Sequence, residues 1–363
     1  MAQDLASSFP MEELDYDDFL GELGSGARSK VMLAKDFMTN TKVAIKKAEK
    51  TSSALIRFRR EVQYLRALRH PNILKLIRVF EDEKQMCLET EYASGRDLGR
   101  LLGKQQRLSE RDARPLFRQL LAAVQHCHKN QVVHRNLKPA NILLDGKHDK
   151  VILAGFSLAE TFTEEGYLNR FCGTPAFSAP EMFLRQKYVG PEVDVWSLGV
   201  VIYNMVAGHV PFMGDNWEQM KKNIIGGIYE TPDFFSDELR ELVRKCLTIG
   251  GKLRPTVAEL MEDAWMQMQD PIINHPVMTK PHYRPINLHD SSACYYPTLE
   301  SEQRGDSSVQ AGETETAASE EGQGRKGLAG RLGNFLLRMC CILPPRETCC
   351  MRSTRVVPVQ EDS

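Results

Sequence analysis

The chain has 363 residues, enough for one large or two medium domains around a sizeable core. With 42 % hydrophobic residues, 26 % charged residues and a formal net charge of −1, it carries no global electrostatic footprint for nucleic acid. The opening M-A-Q-D-L-A-S-S-F-P has no basic or apolar leader pattern and no Gly after Met1, so neither a secretory signal nor N-myristoylation is expected.

Residues 1–15 are acidic and irregular and read as a short mobile lead-in. From Phe19 the pattern turns to β, and L-G-E-L-G-S-G-A-R-S-K-V-M-L-A (20–34) reads as a glycine-rich loop between two strands. V-A-I-K (43–46) is a strand of alternating side chains, and a lysine inside an apolar strand calls for a partner. I-R-F-R-R-E-V-Q-Y-L-R-A-L (56–68) predicts a helix with Ile56, Val62, Leu65 and Leu68 facing inward, broken at Pro71. Strands then run to C-L-E-T-E-Y-A-S-G (87–95). Helices are predicted over 98–102 and 110–130, the second with an inward stripe of Leu116, Leu120, Ala123, Val124 and Cys127.

V-V-H-R-N-L-K-P-A-N-I-L-L-D (132–145) and V-I-L-A-G-F-S-L-A-E (151–160) follow, each an apolar strand beside a polar loop. F-C-G-T-P-A-F-S-A-P-E (171–181) comes next, then Y-V-G-P-E-V-D-V-W-S-L-G-V-V-I-Y (188–203), which reads as a large central helix. The most apolar run, 195–207, is interrupted by Ser197 and Asn204 and is too short to span a bilayer. Of nine cysteines, Cys87, Cys127, Cys172, Cys246 and Cys294 stand singly and read as packing thiols of a cytosolic protein.

The tail differs in composition. Residues 300–327 are rich in Glu, Ser, Thr, Gly and Gln and are expected to be disordered. Further on, Leu328, Leu332, Phe335, Leu336 and Met339 recur on one face of a helix, with Arg325, Lys326, Arg331 and Arg338 nearby. Cys340, Cys341, Cys349 and Cys350 follow. Three readings stand: an interfacial helix fixed by S-palmitoylation, a helix docked on the preceding domain, or a metal site, whose usual cysteine spacing adjacent pairs fit poorly.

Taken together, residues 19–267 resemble a eukaryotic protein kinase. E-Y-A-S-G (91–95), F-R-Q-L-L-A-A-V-Q-H-C-H (117–128) and the 188–200 stretch are similar to the AMP-activated-kinase-related branch. Within it the microtubule-affinity-regulating and sperm motility kinases are nearest, and the cysteine-rich basic end favours the latter. The resemblance implies an α+β, two-lobed fold: a β-rich small lobe with one main helix (about 16–91) and a helical large lobe (about 96–267). A linker over 268–327 and a tail over 328–363 complete the organisation.

The resemblance also implies a site. Leu23, Gly24, Ser25 and Gly26 would close over nucleotide phosphates, with Ser29 in place of a third glycine, and Val31 and Ala44 would pack on the base. Lys46 would hold the α/β-phosphates and pair with Glu61, while Thr90, Glu91 and Ala93 fall on the hinge. Lys138, a catalytic-loop residue, would help place ATP, and Asn141 would hold a metal ion. Asp194 would bond the catalytic-loop backbone, and Arg254 would pair with Glu181. Phe156 would plug the space between the lobes, and Thr174 fits the Ser/Thr type.

Two acidic positions of the family are lost. Asn136 stands where the catalytic base belongs, and an uncharged amide takes up no proton near neutral pH. Gly155 stands where an Asp would bind magnesium, and glycine offers no side-chain oxygen to a hard cation. Arg170 replaces the activating Thr, where a phosphate would pair with Arg135, and two arginines there would repel. The reading is therefore a Ser/Thr-kinase-like pseudokinase acting as a nucleotide-binding or scaffolding module, linked by resemblance to sperm motility signalling. ATP is the cofactor it retains and magnesium the one in doubt. The alternative is a weakly active Ser/Thr kinase. A protein partner or substrate is expected, nucleic acid is not, and the location is cytoplasmic with a membrane surface open to the tail.

Overall fold

A computed structural model describes residues 19–26, 29–81, 85–163 and 165–269. The expectations for the acidic lead-in, the tail, Cys294 and nearly all of the linker lie outside the described residues.

The small lobe is built on five antiparallel strands: β1 (Phe19–Gly26), β2 (Ser29–Lys35), β3 (Lys42–Glu49), β4 (Leu76–Glu81) and β5 (Gln85–Glu91). Their spatial order is β1-β2-β3-β5-β4. Side chains alternate across a strand, so Val43 and Ile45 of β3 enter a core with Ala34, Phe80 and Cys87 while Ala44 and Lys46 take the opposite face.

Helix α1 (Ser52–Ala67) crosses between β3 and β4. Its buried stripe is Ala54, Phe58, Glu61, Val62 and Leu65, a spacing of four, three, one and three. Ile56, expected to face inward, is 63 % exposed. It sits two residues from Phe58, about 200° around the helix at 3.6 residues per turn. A carboxylate, Glu61, lies on the buried stripe that Ile56 was expected to join.

The large lobe opens with β6 (Arg96–Asp97) and α2 (Leu98–Gln105), where the Asp97 side chain caps the helix by accepting from the Arg100 N–H at 3.0 Å. Helix α3 (Glu110–Lys129) is capped by Ser109, and its stripe Leu116, Leu120, Ala123, Val124 and Cys127 is buried. Short strands follow: β7 (Val132–Val133), β8 (Ile142–Leu144), β9 (Val151–Leu153) and β10 (Glu160–Thr161). They form two small sheets, β6-β8-β9 and β10-β7.

Helices α4 (Pro180–Phe183), α5 (Pro191–Ala207), α6 (Trp217–Gly226), α7 (Asp237–Cys246), α8 (Val257–Met261) and α9 (Ala264–Gln267) complete the lobe. α5 is buried on nearly every side, and Gly208 ends it in the left-handed region (φ 84°). Among the described residues no helix is long and apolar enough to cross a membrane. Arg254 holds Glu181 through two bonds, at 2.6 and 2.9 Å, and also donates to the carbonyls of Thr248 and Glu192.

The lobes are stitched together behind the cleft. Leu153 of β9 donates to Asn72 O at 2.8 Å and accepts from Leu74 N at 2.9 Å. The Asn72 amide reaches Gln119 Oε1 and Val151 O. Cys87, Cys127 and Cys246 are buried and Cys172 half-buried, all as free thiols. Burial pushes the Cys246 thiol up to about 12, so it packs rather than reacts.

Candidate functional site

The upper wall of the cleft comes from β1 to β3. Register places Val31 opposite Lys46 and Leu33 opposite Ala44, so Val31, Ala44 and Lys46 share one face. In the hairpin, Gly24 lies opposite Val31 and Gly26 opposite Ser29. The left-handed glycine there is Gly21 (φ 149°) rather than Gly24. A Cβ on Gly24 would meet nothing within 4 Å, so glycine at that point leaves open space over the cleft. Leu23 ties the hairpin down, its carbonyl accepting from Arg96 at 3.5 Å and Arg100 at 3.4 Å. Ser25 is exposed.

Lys46 Nζ donates to Glu61 Oε2 at 2.6 Å, with the carboxylate side chain only 5 % exposed. A buried carboxylate needs such a counter-charge. At the hinge, Thr90 is buried and its hydroxyl donates to Ala44 O at 3.4 Å. The Glu91 carboxylate accepts from Lys75 N at 2.9 Å and its own N–H donates to Lys75 O at 3.1 Å, so both its side chain and its main chain tie the hinge to the residue before β4. Ala93 is buried two residues on.

The lower wall hangs on Asp194 of α5. Its buried carboxylate accepts from His134 N and Arg135 N, each at 2.8 Å, and from His128 Nε2 at 3.0 Å. Burial pushes this carboxyl up, but the bond and charge of His128 and those at His134 outweigh it and hold it below its ordinary range. These bonds fix Arg135 in the left-handed region (φ 59°), a strained placement for a non-glycine residue. His134 Nδ1 accepts from Asn136 N at 3.2 Å, which leaves its Nε2–H to donate to Ala154 O at 3.0 Å. The ring meets Phe156 edge-on with centroids 4.8 Å apart, and Phe156 is fully buried where α1 packs on it.

Pairing of β8 with β9 sets Ile142 opposite Leu153, and Ala154 N donates to Asn141 O at 2.9 Å. That ladder brings Asn141 beside Gly155. The Asn141 amide donates to Asn136 O at 2.7 Å, while Asn136 Oδ1 accepts from the Thr174 hydroxyl at 3.1 Å. Lys138 is half-buried beside them, its carbonyl accepting from Asn141 N. Gly155 adopts φ 83°, and a Cβ there would lie 2.6 Å from Asn141 Oδ1. The two amides and the glycine thus form one packed unit.

The donor set decides what this site can hold. Lys46, the hairpin main chain and the apolar faces of Val31 and Ala44 fit a nucleotide, the lysine meeting phosphate charge. Asn136 and Asn141 are neutral amides, one side chain already accepting from Thr174 and the other already donating to Asn136. Magnesium is usually held by carboxylates plus phosphates, and this side of the site offers no carboxylate: the carboxamide oxygen of Asn141, whose NH2 group donates to Asn136 O, is the one family ligand atom kept here.

One participant was missed from the sequence. The Arg135 side chain is 2 % exposed, and its charge is met by Glu160, at 3.2 Å. Arg170 is exposed. Arg135 is thus paired with a carboxylate of β10, Glu160, which the sequence reading did not name. A carboxylate five residues after Gly155 was the available signal.

The family model for the protein kinase domain matches residues 18–266, and the chain belongs to that family. It falls in the AMP-activated-kinase-related branch. It is 42 % identical over 247 residues to sperm motility kinase 2B of Mus musculus, covering 68 % of this chain and 51 % of that protein. It is 40 % identical over 248 residues to serine/threonine-protein kinase SIK1 of Rattus norvegicus, covering 68 % and 32 %. It is 38 % identical over 274 residues to the carbon catabolite-derepressing protein kinase of Saccharomyces cerevisiae, covering 74 % and 43 %. The match thus spans about half or less of each relative's length.

Proposed function

We propose that this Ser/Thr-kinase-like chain is a pseudokinase that binds nucleotide and acts as a scaffold for a protein partner. The observation that carries the reading is the Asn136–Asn141–Gly155 unit, in which no carboxylate stands at either the base or the metal position. Losing a general base costs about 10²–10⁴ in rate. Losing a metal ligand removes charge neutralisation on which phosphoryl transfer depends. The ion pair between Lys46 and Glu61 supports retained nucleotide binding. The same pair favours the second reading, a slow Ser/Thr kinase. Likeness to sperm motility kinase 2B supports a place in sperm motility signalling. The basic, cysteine-bearing tail supports a membrane surface as a further contact.

The test is transfer of radiolabelled phosphate from ATP to generic Ser/Thr peptides, beside an Asn136→Asp/Gly155→Asp double variant. The parent chain is expected to transfer none. Robust magnesium-dependent transfer by the parent, abolished by Lys46→Ala, would establish the slow kinase instead.

A further inference from the structure

Glu160 joins two elements that both matter to the cleft. Its place in β10, opposite Val133 of β7, brings its carboxylate beside the loop that starts at His134. Oε2 lies 3.2 Å from Arg135 Nη2 and 3.3 Å from Arg60 Nη1. Arg60 belongs to α1 and directly precedes Glu61, the partner of Lys46. One turn further along α1, the Tyr64 hydroxyl is 3.2 Å from that of Thr161, so β10 touches the helix twice.

The chemistry of this arrangement is that of an anion between two guanidinium groups. A phosphate on an activation loop orders a kinase by pairing with arginines in this manner. Here the anion is a side chain of the chain itself. Arg170, just before F-C-G, has no hydroxyl to carry a phosphate. Arg135 is nearly fully buried and donates its Nε to Leu158 O at 2.9 Å, which leaves its terminal nitrogens to be neutralised. Glu160 does so and passes the same oxygen to Arg60.

We propose that Glu160 is a positioning residue: a permanent carboxylate, in the role of a phosphate, that holds α1 inward through Arg60 and so keeps the Lys46–Glu61 pair assembled without modification. The inference rests on the reading that the cleft binds nucleotide. It predicts a chain whose nucleotide site is competent as synthesised.

The test uses the full chain and two independent readouts: hydrogen exchange of the α1 amides without nucleotide, and affinity for a fluorescent ATP analogue without magnesium. Glu160→Gln is expected to speed exchange over Glu61–Leu65 about tenfold and to weaken analogue binding about tenfold, as when the competent fraction falls to about a tenth. Glu160→Asp should recover part of both. Arg60→Gln guards against misfolding, because it cuts the bridge while leaving Arg135 paired, and it should reproduce the exchange change. Combining it with Glu160→Gln should add little, the sign of a shared interaction. Exchange and affinity within twofold of the parent in both single variants would overturn the proposal. Failure of the parent chain to bind the analogue would instead remove the nucleotide reading, with the exchange data still deciding whether Glu160 positions α1.

Discussion

Asn141 and Gly155 are fitted to each other: a Cβ on Gly155 would stand 2.6 Å from the Asn141 carboxamide oxygen. The glycine is therefore more than a missing acid. Its empty side is where the neighbouring amide rests, and that amide is in turn bonded to Asn136 O.

Substitutions at Gly155 should consequently separate by backbone preference. Asp tolerates left-handed backbone, so Gly155→Asp mainly displaces Asn141 and loses one hydrogen bond, about 1 kcal/mol. Gly155→Ala displaces the same amide and adds a left-handed penalty of about 1–2 kcal/mol. Thermal denaturation should rank the parent above the Asp variant and the Asp variant above Ala. An Ala variant as stable as the parent would overturn both the clash with Asn141 and the backbone penalty.

Nucleotide binding should be nearly indifferent to magnesium. Lys46 carries the charge that meets phosphate, and the amides opposite it are neutral. Thermal shift with ATP should give similar stabilisation with and without magnesium, and Lys46→Ala should abolish both. A large magnesium-specific shift would identify another residue as a metal ligand.

The Arg254–Glu181 pair should matter greatly when cut on one side only. Arg254→Met leaves a buried carboxylate without its partner and is expected to cost about 3–5 kcal/mol in a chemical denaturation curve. Adding Glu181→Gln to that variant should restore a good part of the loss, because the stranded charge goes with it.

Acid should destabilise the domain before the carboxylates titrate. Burial holds the His134 imidazole below its ordinary value, ahead of the opposing pull of Asp194, the Ala154 carbonyl and Glu61. The unfolded chain thus binds the proton first, and stability falls as pH drops below about 6.5 toward the folded value. Asp194 acts at lower pH. Its folded pKa is depressed, so its contribution is complete above the unfolded carboxyl value and is lost as pH falls through the folded one. Melting temperature followed from pH 7.5 to 5 should decline, and His134→Gln should flatten the upper part of that decline.

How much of this was legible in the sequence depended on the kind of fact. Asn136 and Gly155 could be read because a change of chemical type at a motif position is visible without coordinates. The stripe of α3 could be read because its apolar residues repeat at helical spacing. α1 was harder, since a functional carboxylate and Phe58 occupy its buried face while Ile56 is on the outside. Glu160 escaped because its partners lie 25 and 100 residues before it, and only the β7–β10 pairing and the packing of α1 bring them together.

The stitching of the loop after α1 to β9 has a mechanical consequence. Asn72 and Leu74 are held by Leu153, and Asn72 also by Gln119 and Val151, all from the large lobe. That loop travels with the large lobe although its two ends belong to the small one. Any widening of the cleft would therefore have to pivot near Ile73, as a lever does on its fulcrum, with the glycine hairpin at the far edge of the sheet on the longest arm and the C-terminal end of α1 on the shortest.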